Sequence, residues 1–114
     1  MNQVYGRVYG MYKLCFFVPV ENAEKVKDAV FLTGAGRIGC YDRCSWETLG
    51  AGQFRPLSGS KPAIGQIDEI EKVQELKVEL VCSDECIKQA VSALKQAHPY
   101  EEPAYEVFRL EEGF

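Results

Sequence analysis

A short segment near the end of the chain carries residue types that often bind metal ions. The sequence HPYEEPAY, residues 98–105, contains the only histidine of the chain, His98, and two adjacent carboxylates, Glu101 and Glu102. Imidazole and carboxylate groups both suit divalent transition metals, and two prolines lower the entropy cost of ordering the segment. A divalent metal site is therefore one interpretation. The alternative is structural, a helix stop and subunit contact, in which His98 interacts with a helix dipole without any ligand.

Cysteine chemistry is a second hypothesis, because Cys44 stands in the sequence Cys44-Ser45-Trp46 with Arg55 downstream. A nucleophilic cysteine needs a neighbouring base and a lowered pKa. The sequence spacing brings no base to Cys44, since the only histidine lies far along the chain. We therefore interpret this stretch as ordinary strand residues.

The sequence GAGRIG, residues 34–39, has the glycine spacing of a dinucleotide-binding loop. Such a loop follows a strand and opens a helix, whereas this one follows a predicted helix, so its amide groups do not face a pyrophosphate. A turn is the favoured interpretation, and an anion held by its amides and Arg37 is the alternative. We expect Gly36 and Gly39 to adopt backbone angles that are closed to other residues.

The chain has five cysteines, at positions 15, 40, 44, 82 and 86, and none of them forms a CxxC pair. This pattern is typical of free thiols in a reducing compartment, several of them buried as small apolar residues. Two pairs are four residues apart, Cys40 with Cys44 and Cys82 with Cys86, which is a weak indication of a metal site.

Length and composition limit the classes of protein to which the chain can belong. Its 114 residues suffice for one domain, and the 46% apolar content excludes a fully disordered chain. The net charge of −4 argues against nucleic acid as a partner. No apolar run is long enough to span a bilayer, and the start lacks the apolar core of a secretion signal. We expect a cytoplasmic protein without a membrane partner.

The elements that position these motifs follow from hydrophobic periodicity and from turn residues. Residues 1–10 are expected to be an N-terminal arm or an artefact of the assigned start, and residues 11–114 a single domain. The predicted strands are 12–20, 41–48, 52–57, 76–82 and 104–110, with 41–48 and 52–57 paired as a hairpin across residues 49–51. The predicted helices are 22–32, capped by Asn22, and a second one capped by Ser83 and Asp84 and ended by Pro99.

This order predicts an α+β fold, the ferredoxin-like βαββαβ plait, with an extra β-hairpin excursion. The antiparallel sheet of such a plait has both helices on one face and leaves the other face uncovered. A domain of this size cannot leave an apolar sheet face in contact with water. We therefore expect oligomerisation or the glycine-rich middle of the chain to cover that face.

Three separated stretches resemble one family in the same order along the chain. They are AGRIGCYDRCSWETLGAGQFRPLSGSKPAIG, the glutamates at positions 71, 75 and 79 around a strand, and HPYEEPAY. Together they resemble the Nif3/YqfO-like family, and in particular the domain inserted between the two lobes of its longer bacterial members. The resemblance covers roughly residues 11–110 and implies that the chain is this domain as a stand-alone protein, with a fold like those of CutA and PII proteins.

The resemblance also carries functional expectations. The family's dinuclear metal site is built from the two flanking lobes, which this chain lacks, so no hydrolase or cyclohydrolase activity is implied. A homotrimeric, non-enzymatic binding or regulatory module is expected, with a CutA-like divalent-metal binder as the alternative. The candidates for a ligand site or subunit cleft are Gly36, Arg37, Tyr41, Cys44, Ser45, Phe54, Arg55, His98, Tyr100, Glu101 and Glu102.

Overall fold

The computed structural model describes residues 3–4, 7–8 and 10–114. Its strands are β1 (Gln3–Val4), β2 (Arg7–Val8), β3 (Met11–Pro19), β4 (Trp46–Phe54), β5 (Glu71–Ser83) and β6 (Tyr105–Arg109). A 3-10 turn (Val20–Asn22) leads into α1 (Ala23–Phe31), and α2 (Ile87–Ala97) follows β5. The prediction of an arm over residues 1–10 falls largely outside the described residues and stays a prediction; the short strands β1 and β2 pair with each other.

The main sheet has four strands in the order β4-β5-β3-β6, and all neighbouring strands are antiparallel. With α1 between β3 and β4 and α2 between β5 and β6, this is the predicted ferredoxin-like βαββαβ plait. Both helices cover one face of the sheet. Among the described residues, no helix is long and apolar enough to cross a membrane.

The core lies between the two helices and the sheet face that carries the alternating apolar residues of the strands. Leu14 stands opposite Leu80 and Phe16 opposite Val78 on the central strands, and all four side chains are buried. In α2, Ala90 and Leu94 are buried, and Ile87, Val91 and Ala97 pack against the same core. The core comprises Leu14, Phe16, Val18, Ala23, Val26, Val30, Ala35, Val78, Leu80, Cys82, Cys86, Ala90 and Leu94.

The hairpin predicted between residues 41–48 and 52–57 is wrong. Residues 46–54 form one strand, β4, which pairs with β5 along its whole length from Trp46–Glu79 to Phe54–Glu71. The glycines that suggest a turn lie inside β4, where Gly52 makes room for a long side chain. A Cβ atom at Gly52 would overlap the carboxylate of Glu75.

A β-hairpin excursion does exist, but β4 and β5 form it together. The strand β5 has 13 residues, and β3 pairs only with its second part, Glu75–Ser83. Beyond Pro19, residues 51–54 of β4 and 71–74 of β5 therefore continue as a two-stranded ribbon. The loop 55–70 closes this ribbon, and its position decides where the candidate site lies.

The predicted helix caps are wrong, although both helices are present. The side chain of Asn22 makes no capping hydrogen bond, because the 3-10 turn precedes α1. The helix α2 begins at Ile87, and its cap position is Cys86 rather than Ser83 or Asp84. The carboxylate of Asp84 instead accepts a hydrogen bond from the backbone amide of Gly10 at 2.7 Å.

The sheet face opposite the helices exposes two large aromatic side chains. Trp46 on β4 and Phe108 on β6 are 70% and 50% exposed. Their cross-strand partners are Glu79 and Lys13, so both rings lie on the face without helices. This open face, defined here by Trp46, Phe108 and the residues on their side of the sheet, is the one expected to need a cover.

Candidate ligand cavity

A cavity of about 620 Å³ opens on the open face, where the ribbon leaves the sheet. Its floor comes from β3 and β5, one wall from the end of β4 and the loop after it, and the other wall from the segment between α2 and β6. Most of its lining is apolar. The lining residues are Phe17, Gly52, Gln53, Phe54, Arg55, Pro56, Leu57, Ser60, Pro62, Ala63, Ile64, Glu75, Tyr100, Glu101, Glu102 and Ala104.

His98 fixes the start of the wall that follows α2. Its Nε2–H donates a hydrogen bond to the carbonyl oxygen of Phe17 at 2.7 Å, and its Nδ1 accepts one from the amide of Tyr100 at 3.1 Å. A carbonyl only accepts and an amide N–H only donates, so the ring is neutral with its proton on Nε2. The side chain is 6% exposed. His98 therefore lies behind the cavity wall and joins it to β3.

Tyr100 joins the same wall to the ribbon. Its hydroxyl donates a hydrogen bond to Oε2 of Glu75 at 3.1 Å, and its ring meets that of Phe54 edge to face at a centroid distance of 5.7 Å. Burial, followed by the negative charge of Glu75, raises the pKa of Tyr100 to about 12. The phenol therefore stays protonated near neutral pH and acts as a donor inside the cavity.

Glu101 joins this wall to the loop 55–70. Its Oε1 accepts a hydrogen bond from the backbone amide of Lys61 at 2.8 Å. Glu101 thus fixes the loop over the open face, while Glu75, Glu101 and Glu102 all contribute carboxylates to the lining. Arg55 is the one cationic residue among the lining residues. The cavity is an apolar hollow with a negatively charged rim.

The structure brings together only part of the candidate set. Phe54, Arg55, Tyr100, Glu101 and Glu102 line the cavity as a group. His98 does not line it. The other candidates are at the opposite end of β4, whose nine residues span about 27 Å at the usual rise of a strand.

The remaining candidates, Gly36, Arg37, Tyr41, Cys44 and Ser45, belong to the loop between α1 and β4, so a single chain does not bring them together with HPYEEPAY. A cleft between subunits that joins the two groups stays a prediction. The amide of Gly36 donates to the carbonyl oxygen of Val81 at 2.8 Å, and the amide of Cys44 donates to that of Gly36 at 2.8 Å. These bonds continue the sheet beyond β4. Gly36 and Gly39 have positive φ angles of 81° and 58°, as the sequence predicts.

The hydrogen bonds of His98 argue against its use as a metal ligand in this conformation, and the metal interpretation stays a prediction. A metal ligand needs a free ring nitrogen, and both nitrogens of His98 are bonded to the backbone. Across the described part of the chain, no group of three or more His, Cys, Asp or Glu side chains is placed to hold a metal ion. Glu101 and Glu102 remain as carboxylates of the cavity.

The buried histidine makes the stability of the fold depend on pH. Burial lowers the pKa of His98 below 6.5 by more than its bond to Phe17 and the charge of Glu75 raise it. As the pH falls below 6.5, His98 binds a proton in the unfolded chain while it stays neutral in the folded chain. The stability contribution of neutral His98 is therefore complete above this pH and is lost as the pH falls towards the lower pKa of the folded state.

We expect the free energy of unfolding to fall between about pH 7.5 and about pH 5.5 in the native sequence, and to fall less in His98→Gln. Glutamine keeps a donor for the carbonyl of Phe17 but does not titrate. Urea unfolding at several pH values measures how the free energy of unfolding changes with pH in each protein. The carboxylates contribute equally in both proteins, so the difference reports His98. Equal slopes in the two proteins would contradict a lowered pKa of His98.

Comparison with known proteins finds relatives that share most of this chain's sequence. No family model matches the chain. A Mycobacterium tuberculosis protein named GTP cyclohydrolase 1 type 2 homolog is 46% identical over 98 residues, which are 86% of this chain and 26% of that protein. A Bacillus subtilis protein of the same name is 41% identical over 100 residues, 88% of this chain and 27% of that protein.

The solved structures agree with this result. A Bacillus cereus protein related to NIF3 superposes with a TM-score of 0.78 at 36% identity, over 91% of this chain and 26% of that one. The chain is homologous to one region of Nif3/YqfO family proteins. It spans about a quarter of the length of the curated relatives that it matches.

Two further neighbours show the fold alone. The divalent ion tolerance protein CutA1 from Ehrlichia chaffeensis has a TM-score of 0.67 at 14% identity, and the match covers 95% of this chain and 88% of that one. GlnK from Bacillus subtilis, solved as a complex with ATP, has a TM-score of 0.58 at 17% identity over 89% of this chain and 82% of that one. The CutA/PII-like fold expected from the sequence is therefore confirmed.

Proposed function

We propose that this domain is a non-enzymatic, oligomeric binding or regulatory module that holds a small molecule in the cavity on its open face. The observation that carries the proposal is the cavity itself. Its volume of about 620 Å³ falls within the range of about 300–1,000 Å³ that is usual for small-molecule sites. Three independent hydrogen bonds, made by His98, Tyr100 and Glu101, hold its walls in place.

The polar groups of the cavity support binding rather than catalysis. Acid–base catalysis needs a titratable pair with matched pKa values and free access to the substrate. Here Glu75 is bonded to Tyr100, Glu101 is bonded to a backbone amide, and the phenol of Tyr100 stays protonated. The cyclohydrolase name belongs to relatives of which this chain matches about a quarter.

The charge of the cavity defines the class of ligand. Three carboxylates and one guanidinium, from Glu75, Glu101, Glu102 and Arg55, surround a mostly apolar hollow. Such a rim repels phosphate groups and attracts a cation or a hydrogen-bond donor. The proposed ligand is therefore a small apolar or aromatic molecule with an amine. A nucleoside triphosphate, such as the ATP in the GlnK complex, does not fit this charge.

The oligomer that we propose is a homotrimer in the cytoplasm. Trp46 and Phe108 on the open face supply the apolar area that self-association would bury. The closed symmetry of a ring of identical chains would cover this face in every subunit. Native mass spectrometry of untagged protein should give a species near 38 kDa, three times the chain mass of 12.8 kDa. A bare monomer at high protein concentration would overturn the trimer.

The ligand class is tested with two small probes of opposite charge. Phenethylamine and hydrocinnamate present a similar aromatic ring with an amine and a carboxylate, respectively. We expect NMR titration to show saturable shifts at Phe54 and Tyr100 with the amine, and an affinity for it that exceeds that for the acid by about tenfold. Equal binding of both probes, or no binding of either, would contradict the proposed class.

Two variants and a metal titration complete the test. Glu102→Gln removes a carboxylate of the cavity rim, whereas Glu85→Gln removes an exposed carboxylate outside the cavity lining. Only Glu102→Gln should weaken the binding of phenethylamine. The divalent-metal alternative is tested by calorimetry with Cu²⁺, Zn²⁺ and Ni²⁺, in which equal affinity for the native chain and His98→Ala would exclude His98 as a ligand.

A further inference from the structure

Two sulfur atoms lie unusually close together at the opposite end of the domain core. The Sγ atoms of Cys82, near the end of β5, and Cys86, at the cap position of α2, are 3.0 Å apart. This distance is only about 1 Å longer than a disulfide bond, which measures about 2.05 Å. Both cysteines are free thiols and are buried, with exposures of 2% and 9%.

The backbone holds the two cysteines in this position from both sides. Cys82 is fixed by its place in β5 opposite Tyr12. The amide of Cys86 donates to the carbonyl oxygen of Ser83 at 3.2 Å, and its own carbonyl oxygen accepts from the amide of Ala90 at 2.8 Å. The turn between strand and helix therefore holds the two sulfur atoms 3.0 Å apart.

We propose that Cys82 and Cys86 form a reversible oxidation site in which a peroxide converts the dithiol into an intramolecular disulfide. In the first step, the thiol of Cys86 gives up its proton, its sulfur attacks one peroxide oxygen and the O–O bond breaks. The leaving hydroxide takes up the thiol proton, so a sulfenic acid and one water molecule result. In the second step, the sulfur of Cys82 attacks the sulfenic sulfur, the S–O bond breaks, and the thiol proton leaves with the hydroxide as water. Two thiols and one hydrogen peroxide thus give one disulfide and two water molecules.

The surroundings of each sulfur indicate which cysteine reacts with peroxide and which one resolves the sulfenic acid. Burial, with the adjacent Cys86, raises the pKa of Cys82, so its sulfur stays protonated and reacts second. Cys86 is the more exposed of the two and has the hydroxyl of Ser83 at 3.4 Å from its sulfur. A small oxidant such as hydrogen peroxide reaches Cys86 first, and Cys82 is then in place to resolve the sulfenic acid.

The other cysteines provide internal controls. Cys15 is as deeply buried as Cys82, yet it lies in β3 on the face of the sheet opposite Leu14 and has no sulfur contact among the described residues. Cys40 is exposed and Cys44 is half-buried. Replacement of Cys40 and Cys44 by serine removes the accessible thiols and leaves Cys15, Cys82 and Cys86 for comparison.

The experiment treats this Cys40→Ser/Cys44→Ser protein with hydrogen peroxide under native conditions. The protein is then denatured, alkylated with iodoacetamide and analysed by intact mass and peptide mapping. We expect the loss of two hydrogen atoms, alkylation of Cys15 alone, and recovery of all three thiols after treatment with dithiothreitol. A Cys82→Ser variant should stop at a sulfenic acid on Cys86 that dimedone traps.

Two outcomes would overturn the proposal. One is full alkylation of Cys82 and Cys86 after peroxide treatment of protein that circular dichroism shows to be folded. The other is a disulfide that forms only in urea, because the native distance between the two sulfur atoms would then play no part. Both readouts are independent of the cavity and of the oligomeric state, so they do not depend on the proposed function.

Discussion

Gly36→Ala is expected to lower the free energy of unfolding by about 3 kcal/mol, and Gly39→Ala by only about 1 kcal/mol. Both glycines have positive φ angles, which cost an L-residue energy wherever they occur. The two positions differ in the space around them. A Cβ atom at Gly36 would lie 2.8 Å from the ring of Phe31 and 3.0 Å from the carbonyl oxygen of Cys44, whereas at Gly39 nothing lies within 4 Å.

The comparison of these two variants separates backbone strain from crowding. Gly36 cannot relieve the overlap easily, because its amide is bonded to Val81 and its carbonyl to the amide of Cys44. Gly39 lies at the turn between Ile38 and Tyr41, which faces solvent. Urea unfolding of both variants measures the difference, and equal losses would show that the contact with Phe31 does not constrain the loop.

The sequence predicts the plait because the apolar residues of each core element recur with the regular spacing of a strand or of a helix. In β5 the apolar residues Val78, Leu80 and Cys82 occupy every second position, and all three are buried. In α2 the apolar stripe recurs with helical spacing, and Ala90 and Leu94 are fully buried. Strand order then follows from the short connections and from the right-handed crossovers that such folds require.

The strand β4 could not be predicted from its own residues. It contains Gly50 and Gly52 and is largely exposed, so neither alternation nor β-propensity marks it as one strand. Tertiary contacts keep it extended. They are nine residue pairs with β5 and the space at Gly52 that the Glu75 carboxylate occupies. A glycine opposite a long side chain looks like a turn residue in the sequence, because the partner strand lies far along the chain.

The sequence suggests five residues that line the candidate cavity, Phe54, Arg55, Tyr100, Glu101 and Glu102, but not the bonds that hold its walls together. Tyr100, Glu101 and Glu102 are neighbours, and the two prolines beside them indicated an ordered segment. The role of Glu75 depends on a hydrogen bond across 25 residues, and the role of His98 on a bond to the backbone of Phe17. A backbone carbonyl leaves no signal in the sequence, so the hydrogen bonds that fix His98 cannot be predicted from it.

The largest expected effect of any substitution is on self-association. Trp46→Glu combined with Phe108→Glu should convert the proposed trimer of about 38 kDa into a monomer of 12.8 kDa. Burial of a large apolar side chain contributes about 1.5–3 kcal/mol, and a trimer would bury two such side chains from every subunit. Charges placed on the open face remove this contribution and add the cost of burying carboxylates.

The monomeric variant should remain folded, because both rings are largely exposed in the single chain and neither belongs to its core. Leu32→Glu is the matched control: Leu32 is also an exposed apolar residue, but it ends α1 outside the open face, so this variant should keep the native mass. Native mass spectrometry measures the oligomeric state of each variant, and circular dichroism shows whether the variant is folded. If the double variant keeps the trimer mass, a surface other than the open face joins the subunits, and the cavity then stays open to solvent in the assembly.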